Sequence, residues 1–358
     1  MDISLILKEI RSRGGLSQTD LATKMNVARE TITRLETNRT RLTVEQLLEY
    51  AKHCNVTVNE IIGMMKDPIE DDLVFLLRAN SAIYFTEEIR RAFEIWYKRY
   101  AALMLKVNFH PARTWFSYAY DESGDIREQA KDAARKARLL WGLGTAPIDD
   151  PVSLVHSLGI FIAGRDFGSD KLFGLTGICN HTDRFGILIN THRTIPIERQ
   201  RFSIFHELSH IIAHRNEFIE KPNQIGKGKG KDKVEIFADV FSGEFQIPAE
   251  EFLRVYQTNF NAPTDESIFY LKKYFKVSYK TIIYRLRDTE CIDQYQCGQL
   301  FNKFKRIYGE ITEPQPITDK LRFDQETEIV QSAIESRLIT QPEAQKMGFL
   351  NGPMFEMS

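Results

Sequence analysis

His206 and His210 stand four residues apart in residues 201–215, RFSIFHELSHIIAHR, with Glu207 directly after the first of them. On a helix, residues four apart share a face. Both imidazoles can therefore reach one ion, while Glu207, one step round, sits where a general base would act on a water. The flanking Phe202, Ile204, Phe205, Leu208, Ile211 and Ile212 mark the helix as buried. A third ligand is expected from residues 234–248, VEIFADVFSGEFQIP. Glu235 on that second helix would complete a two-His, one-carboxylate zinc site that leaves a position open for water. Asp239, one turn on, is placed to accept the remaining N–H of a ligating His and set its tautomer. His214, a further turn past His210, lies near the same face, where it could steady a transition-state oxyanion; as a fourth ligand it would close the site. The competing reading is a chance H-E-x-x-H in a helix without metal, with Glu235 a solvated charge.

The longer pattern is more specific. RQRFSIFHELSHIIAH, then E-x-x-A-D at residues 235–239 and an Ile-Pro ending, resembles the ImmA/IrrE family of metallopeptidases, also known as DUF955. WGLGTAPIDDPVSLVHSLGIFI and FGILIN are similar to that family's preceding segments. The resemblance implies a gluzincin-like fold with His206, His210 and Glu235 as zinc ligands, Glu207 as base, and Asp239 behind a ligand. His/His/Glu ligation tolerates Mn2+ as well as Zn2+. Residues 241–245, FSGEF, depart from the family's F-A-A-x-L without touching a ligand position.

The remaining chain must position these groups and connect them to a purpose. With 358 residues, two or three domains are expected. Charge is balanced, 48 Lys and Arg against 49 Asp and Glu, so any surface for nucleic acid must be local. Cys54, Cys179, Cys291 and Cys297 form no CxxC pair, which suits a reduced cytosol. The first residues place their basic groups after the apolar ones, the wrong order for a signal peptide. No apolar run is long enough to span a bilayer. A cytoplasmic protein without a membrane partner is expected.

Residues 1–66 read as short helices: one ending at Gly14-Gly15, one capped by Ser17 with Asp20 as partner, a third over residues 28–38, then 42–53 and 58–65. The string GLSQTDLATKMNVARETITRLETNRTRLTVEQLLEYAKHCNVTVNEII resembles the Xre/phage-repressor helix-turn-helix domain over its whole length. The resemblance implies a recognition helix in the major groove. Arg29, Glu30, Thr33 and Arg34 would face base edges, Arg suiting guanine and Glu cytosine. Gln18, Thr31, Asn38, Arg39 and Arg41 would meet phosphate. Ten Lys and Arg against eight Asp and Glu give this segment a modest positive balance, and the same charges also suit a solvated face. Duplex DNA with a palindromic operator and a homodimer are the expected partners.

Residues 67–72 form a short acidic link, and 73–107 read as helix with aromatics at helical spacing, either core or partner surface. Residues 125–143 make an amphipathic helix whose Arg127, Lys131, Arg135, Lys136 and Arg138 suit a solvated face. Three strands follow at 160–165, 174–179 and 185–190, a mixed sheet whose edge could take a peptide as an added strand. GKGKGKDK, residues 226–233, lacks P-loop spacing and reads as a connector. From residue 262 the chain is helical, and 265–274 with 278–288 resemble the small helix-turn-helix-like appendage usual in this family.

The expected architecture is multidomain and mainly α with a small α+β part. It comprises an Xre-type helix-turn-helix bundle (1–66), a helical linker (67–127), a gluzincin-like peptidase domain with a small mixed sheet (128–261), and a helical C-terminal region (262–358). The expected function is a DNA-binding transcriptional regulator whose zinc endopeptidase cleaves a repressor or partner regulator. The alternative is a regulator, or a toxin–antitoxin or phage-defence component, whose peptidase-like domain senses or binds.

Overall fold

The computed structural model describes residues 3–37, 39–40, 42–54, 56–58, 61, 73–76, 84–121, 123–179, 184–215, 233–309 and 312–349. The chain divides into two compact units, Met1–Leu73 and Val74–Ser358.

The first unit contains α1 (Ile3–Arg13), α2 (Gln18–Lys24), α3 (Arg29–Glu36) and α4 (Val44–His53). Two capping boxes start helices here: Ser17 with Asp20 ahead of α2, and Thr43 with Gln46 ahead of α4. Asn26, at φ 54, makes the turn between α2 and α3, a left-handed position that Asn adopts at low cost. Ile6, Leu7, Ile10, Leu21, Ile32, Leu35 and Tyr50 close the core. One polar cluster lies inside it. Glu36 accepts from two of the three Arg11 nitrogens, Nε and Nη2 (2.6 and 3.0 Å), from the Tyr50 hydroxyl (2.6 Å) and from the Gln18 amide (2.9 Å). Burial pushes the Glu36 carboxyl up, yet the bonds from Arg11, Gln18 and Tyr50 win and hold it below the usual glutamate range. The helix expected over 58–65 lies largely outside the described residues.

The second unit is built on a sheet of order β1-β3-β4-β2. Its strands are β1 (Leu73–Leu76), β2 (Phe161–Arg165), β3 (Gly174–Cys179) and β4 (Phe185–Asn190). β2 runs parallel to β4 and β3 antiparallel to it, so the sheet is mixed. β1 corrects the expectation of helix at residues 73–76; further on, α5 (Glu87–Lys106) follows the Thr86 cap, and residues 77–83 lie outside the described ones. Leu-Val-Phe-Leu is a short apolar run that periodicity cannot assign to strand or helix. The aromatic stripe of α5 is core, with Tyr100 and Phe161 rings 4.6 Å apart. Gly186 on β4 lets α5 come close, since a Cβ there would stand 2.8 Å from the Tyr97 ring.

Of the helices α6 (Ile126–Leu140), α7 (Pro151–Ser157), α8 (Ile197–Ala213) and α9 (Lys233–Gln246), α7 packs on β2 and α8 on β3 and β4, and α9 lies on α8 and α6. α8 carries the H-E-x-x-H residues and packs on β3, β4, α7 and α9. Ala130, Ala133, Ala134 and Ala137 make the buried face of α6, which lies along α9. Arg138 does not belong to the solvated face expected for α6. It is 5% exposed and donates to the carbonyls of Gly144 (2.8 Å), Ala146 (2.6 Å) and Phe245 (2.6 Å), tying the ends of α6 and α9 together.

The C-terminal helices are α10 (Ala249–Asn259), α11 (Asp265–Phe275), α12 (Tyr279–Asp288), α13 (Gln294–Tyr308), α14 (Gln325–Glu335) and α15 (Gln341–Lys346). α10 to α13 share a second core around Phe252, Leu271, Phe275, Ile282, Leu286 and Phe304. Buried ion pairs join this layer to the site-bearing helices: Lys272 to Glu198 on α8, and Arg285 to Glu244 on α9 (2.8 Å). The molecule is therefore mainly helical with a small mixed sheet, as its sequence implies.

Candidate metal centre

α8 is buried along almost its whole length, so its polar residues need partners inside the fold. Arg201 meets the carbonyls of Ile148 and Asp149, which anchors the helix ahead of the motif. At its ending turns, His206 and His210 direct their Nε2 atoms to one point, 3.1 Å apart. Glu235, from α9, brings Oε2 to 3.6 Å from His206 Nε2 and Oε1 to 3.5 Å from His210 Nε2. The ligand atoms of the three residues all lie within 4.8 Å of one another, the one such group among the described residues.

These spacings test whether a metal fits. Four donors at zinc–nitrogen and zinc–oxygen bond lengths of about 2.0–2.2 Å lie, in a tetrahedron, roughly 3.4 Å from each other. The edge between the two ring nitrogens, 3.1 Å, is close to that figure, and the Glu235 carboxylate turns one oxygen to each ring, Oε1 at 3.5 Å from His210 and Oε2 at 3.6 Å from His206. Two ring nitrogens and one carboxylate also match the donor types of an open zinc site.

The groups behind the donors are equally ordered. Asp239 Oδ1 lies 3.1 Å from His206 Nδ1. A proton on Nδ1 then faces the carboxylate and the Nε2 lone pair faces the centre. His210 Nδ1 lies 3.3 Å from His214 Nδ1. His214 is fully buried, edge-on to the rings of Tyr120 (5.0 Å) and Phe237 (5.2 Å). Burial first, then the neighbouring His210, holds its pKa well below the usual histidine range, which suits a neutral acceptor for His210. His214 stands behind His210, at that ligand's second ring nitrogen.

Glu207 is only 5% exposed and points to β3 rather than to the ion's ligands. Thr176 Oγ1 donates to its Oε2 at 2.6 Å. The backbone of Gly174 passes so close that a Cβ there would stand 3.0 Å from Glu207 Cγ and 3.1 Å from Oε1. Sequence reasoning missed both partners: they lie on a strand some thirty residues upstream, and nothing local to Gly174 or Thr176 marks the contact.

The expected DNA-contact residues are placed as follows. Arg29, Glu30, Arg34 and Arg39 are exposed on α3 and just beyond it, and Thr31 and Thr33 are half-buried. Gln18 bridges Glu36 and the Thr33 hydroxyl (3.2 Å) and so also orders α2 against α3. Asn38 and Arg41 lie outside the described residues.

A family model described as the IrrE N-terminal-like domain, Peptidase_M78, matches residues 157–287, which span α8, α9 and all three candidate ligands. A helix-turn-helix model matches residues 7–61. The chain joins a helix-turn-helix domain to an IrrE N-terminal-like domain. None of the curated proteins matches it. Among solved structures, a PrgX mutant is 14% identical, covering 98% of this chain and 100% of that one with a TM-score of 0.19. A PrgX/iCF10 complex is also 14% identical, covering 95% and 99%, again with a TM-score of 0.19. Scores that low carry no argument about the fold.

The IrrE-like domain is of peptidase type, and its His-His-Glu cluster has the shape of a metal site. Asp239→Asn is expected to keep the fold, because Asp239 is half-buried and its partner is a ring nitrogen. Zinc affinity should fall about tenfold to a hundredfold, read by competition with a chromogenic chelator. Unchanged affinity would mean that His206 does not need this acceptor.

Proposed function

We propose that the protein is a DNA-binding regulator whose IrrE-like domain is a zinc-dependent endopeptidase acting on another protein, a repressor or partner regulator. The reading rests on one arrangement: Glu207, adjacent to His206 in sequence, stands outside a group of three donors whose ligand atoms lie within 4.8 Å of one another.

His206, His210 and Glu235 would hold the ion. When bound, zinc supplies Lewis acidity to a water and to the scissile carbonyl. Glu207 takes a proton from that water and returns it to the leaving amine. Thr176 fixes the carboxylate from behind through one oxygen, leaving its orientation set before substrate arrives. Asp239 and His214 hold the two imidazoles in the tautomers that present Nε2.

The helix-turn-helix unit supplies the address. Arg29, Glu30, Thr33 and Arg34 reach base edges, and Gln18, Thr31, Asn38, Arg39 and Arg41 meet the backbone of a palindromic operator bound by a homodimer. Arg34→Ala should relax base preference at one position of each half-site at a cost of about 1–3 kcal/mol. Arg39→Ala should instead weaken all duplexes alike and reduce the salt slope by about one. Equal effects on matched and unmatched duplexes for Arg34→Ala would remove it from base readout.

The deciding experiment is elemental analysis of protein purified without chelator, followed by incubation with candidate regulators. Stoichiometric zinc with cleavage that a chelator stops supports the proposal; protein that takes up no zinc overturns it.

A further inference from the structure

The sheet meets Glu207 through one strand. Gly174 and Thr176 of β3 both adjoin its side chain, the first by close passage of its backbone and the second by a hydrogen bond of 2.6 Å. Alternate residues of a strand share a face, so these two lie together on the face that packs on α8. Their backbone groups alternate in the same way. β3 pairs antiparallel with β4 in the register Gly174↔Ile189, Leu175↔Leu188 and Thr176↔Ile187. One step back, Asn190 donates its N–H to the carbonyl of Phe173 at 2.9 Å, which makes those two a hydrogen-bonded pair. Such pairs alternate with open ones along an antiparallel ladder. Leu175 and Gly177 therefore direct their N–H and C=O groups to β4, and Gly174, Thr176 and Ile178 turn theirs to the outer side.

That outer side is occupied. With the strand order β1-β3-β4-β2, β1 bonds to the side of β3 that faces away from β4. It opens the second unit of the chain, which begins at Val74. The opposite end of the sheet, β2, is separated from β3 by β4, and the Phe323 ring lies against it at Gly164. A peptide that joins a sheet as an added strand takes its main-chain bonds from an edge. Of the two ends, the β3 side alone would lay that peptide beside the residues that hold Glu207.

We infer that the outer edge of β3 is the binding site for an extended substrate peptide, and that residues 73–76 occupy it as an autoinhibitory strand of the chain itself. The main-chain groups of Gly174, Thr176 and Ile178 serve one strand at a time, so substrate enters as β1 leaves. β1 has four residues, near the short end of the range for strands, and few ladder bonds oppose its exchange. The inference rests on the peptidase reading above and adds how substrate is held and what keeps the site closed.

The double variant Val74→Pro/Phe75→Pro tests it in the zinc-loaded full chain. Neighbouring residues of a strand point their N–H groups to opposite sides, so one of the two prolines removes a bond to β3 in either register. Amide hydrogen exchange over residues 174–178, read by mass spectrometry, should quicken. Cleavage of a degenerate peptide pool should rise about tenfold to a thousandfold, the inverse of an open-state population of roughly 0.1–10%. A synthetic peptide of residues 71–78, DDLVFLLR, should return the variant towards the wild-type rate, and its backbone N-methylated form should not. Faster exchange without faster cleavage, or equal inhibition by the N-methylated peptide, overturns the inference and leaves the peptidase reading standing. If neither chain cuts the pool with zinc bound, the peptidase reading fails. Anisotropy of fluorescein-labelled DDLVFLLR on the variant then decides the edge: no binding, or equal binding of the N-methylated form, ends it. Should the double variant lose zinc, the single Val74→Pro and Phe75→Pro variants repeat the measurements. Loss of zinc in both would make β1 a permanent part of the sheet, and the inference falls.

Discussion

Glu207→Gln should reduce cleavage of a susceptible protein by about 10²–10⁴-fold while zinc content stays at the wild-type level. The amide is nearly isosteric, keeps an oxygen for the Thr176 hydroxyl at the position now 2.6 Å away, and cannot take a proton from water. The metal donors are untouched, because Glu207 is not one of the three. The paired measurements separate base from ligand: a variant that loses both zinc and activity would show that Glu207 supports the site, and full residual cleavage would remove it from the mechanism.

Glu36→Ala should destabilise the helix-turn-helix unit by about 3–5 kcal/mol, the usual cost of breaking a buried ion pair from one side. The substitution strands Arg11, whose side chain is 11% exposed, and also takes the acceptor from Tyr50 and Gln18. A urea titration followed by circular dichroism would read the change, and a loss under about 1 kcal/mol would mean that Arg11 escapes to solvent. The pH dependence has a definite sign. Because the folded-state pKa of Glu36 is depressed, its contribution is fully present above the unfolded glutamate value of about 4.3. It is lost as pH falls through the folded value, and Glu36→Ala should flatten the acid limb of the stability curve.

Much of this was legible before any coordinates. Helix starts were readable at Ser17 and Thr43 because a capping box places its hydroxyl and its reciprocal acceptor three residues apart. The pairing of Glu235 with the H-E-x-x-H helix was readable because ligand chemistry limits the third donor to few residue types, and the surrounding pattern narrowed it further. What stayed hidden shares one property: it depends on which distant elements meet. Thr176 and Gly174 gain their roles only when β3 is laid beside α8. Arg138 looks like any basic residue of an amphipathic helix until the carbonyls of Gly144, Ala146 and Phe245 converge on it. His214 has the spacing of a residue near the centre, and only the packed rings of Tyr120 and Phe237 show it seated behind His210. Residues 73–76 failed for a different reason, since four apolar residues are too few to display a period.

The alanines of α6 have a consequence for the centre itself. α9 bears Glu235 and packs closely along α6, whose buried face is made of alanines. The distance from the carboxylate to the imidazoles is thus gauged by the thinnest side chains available, set from the rear of the helix. A bulkier residue at Ala133 or Ala134 would wedge α9 outward and pull one corner of the triangle away, so metal grip in this molecule can be detuned without altering a single donor.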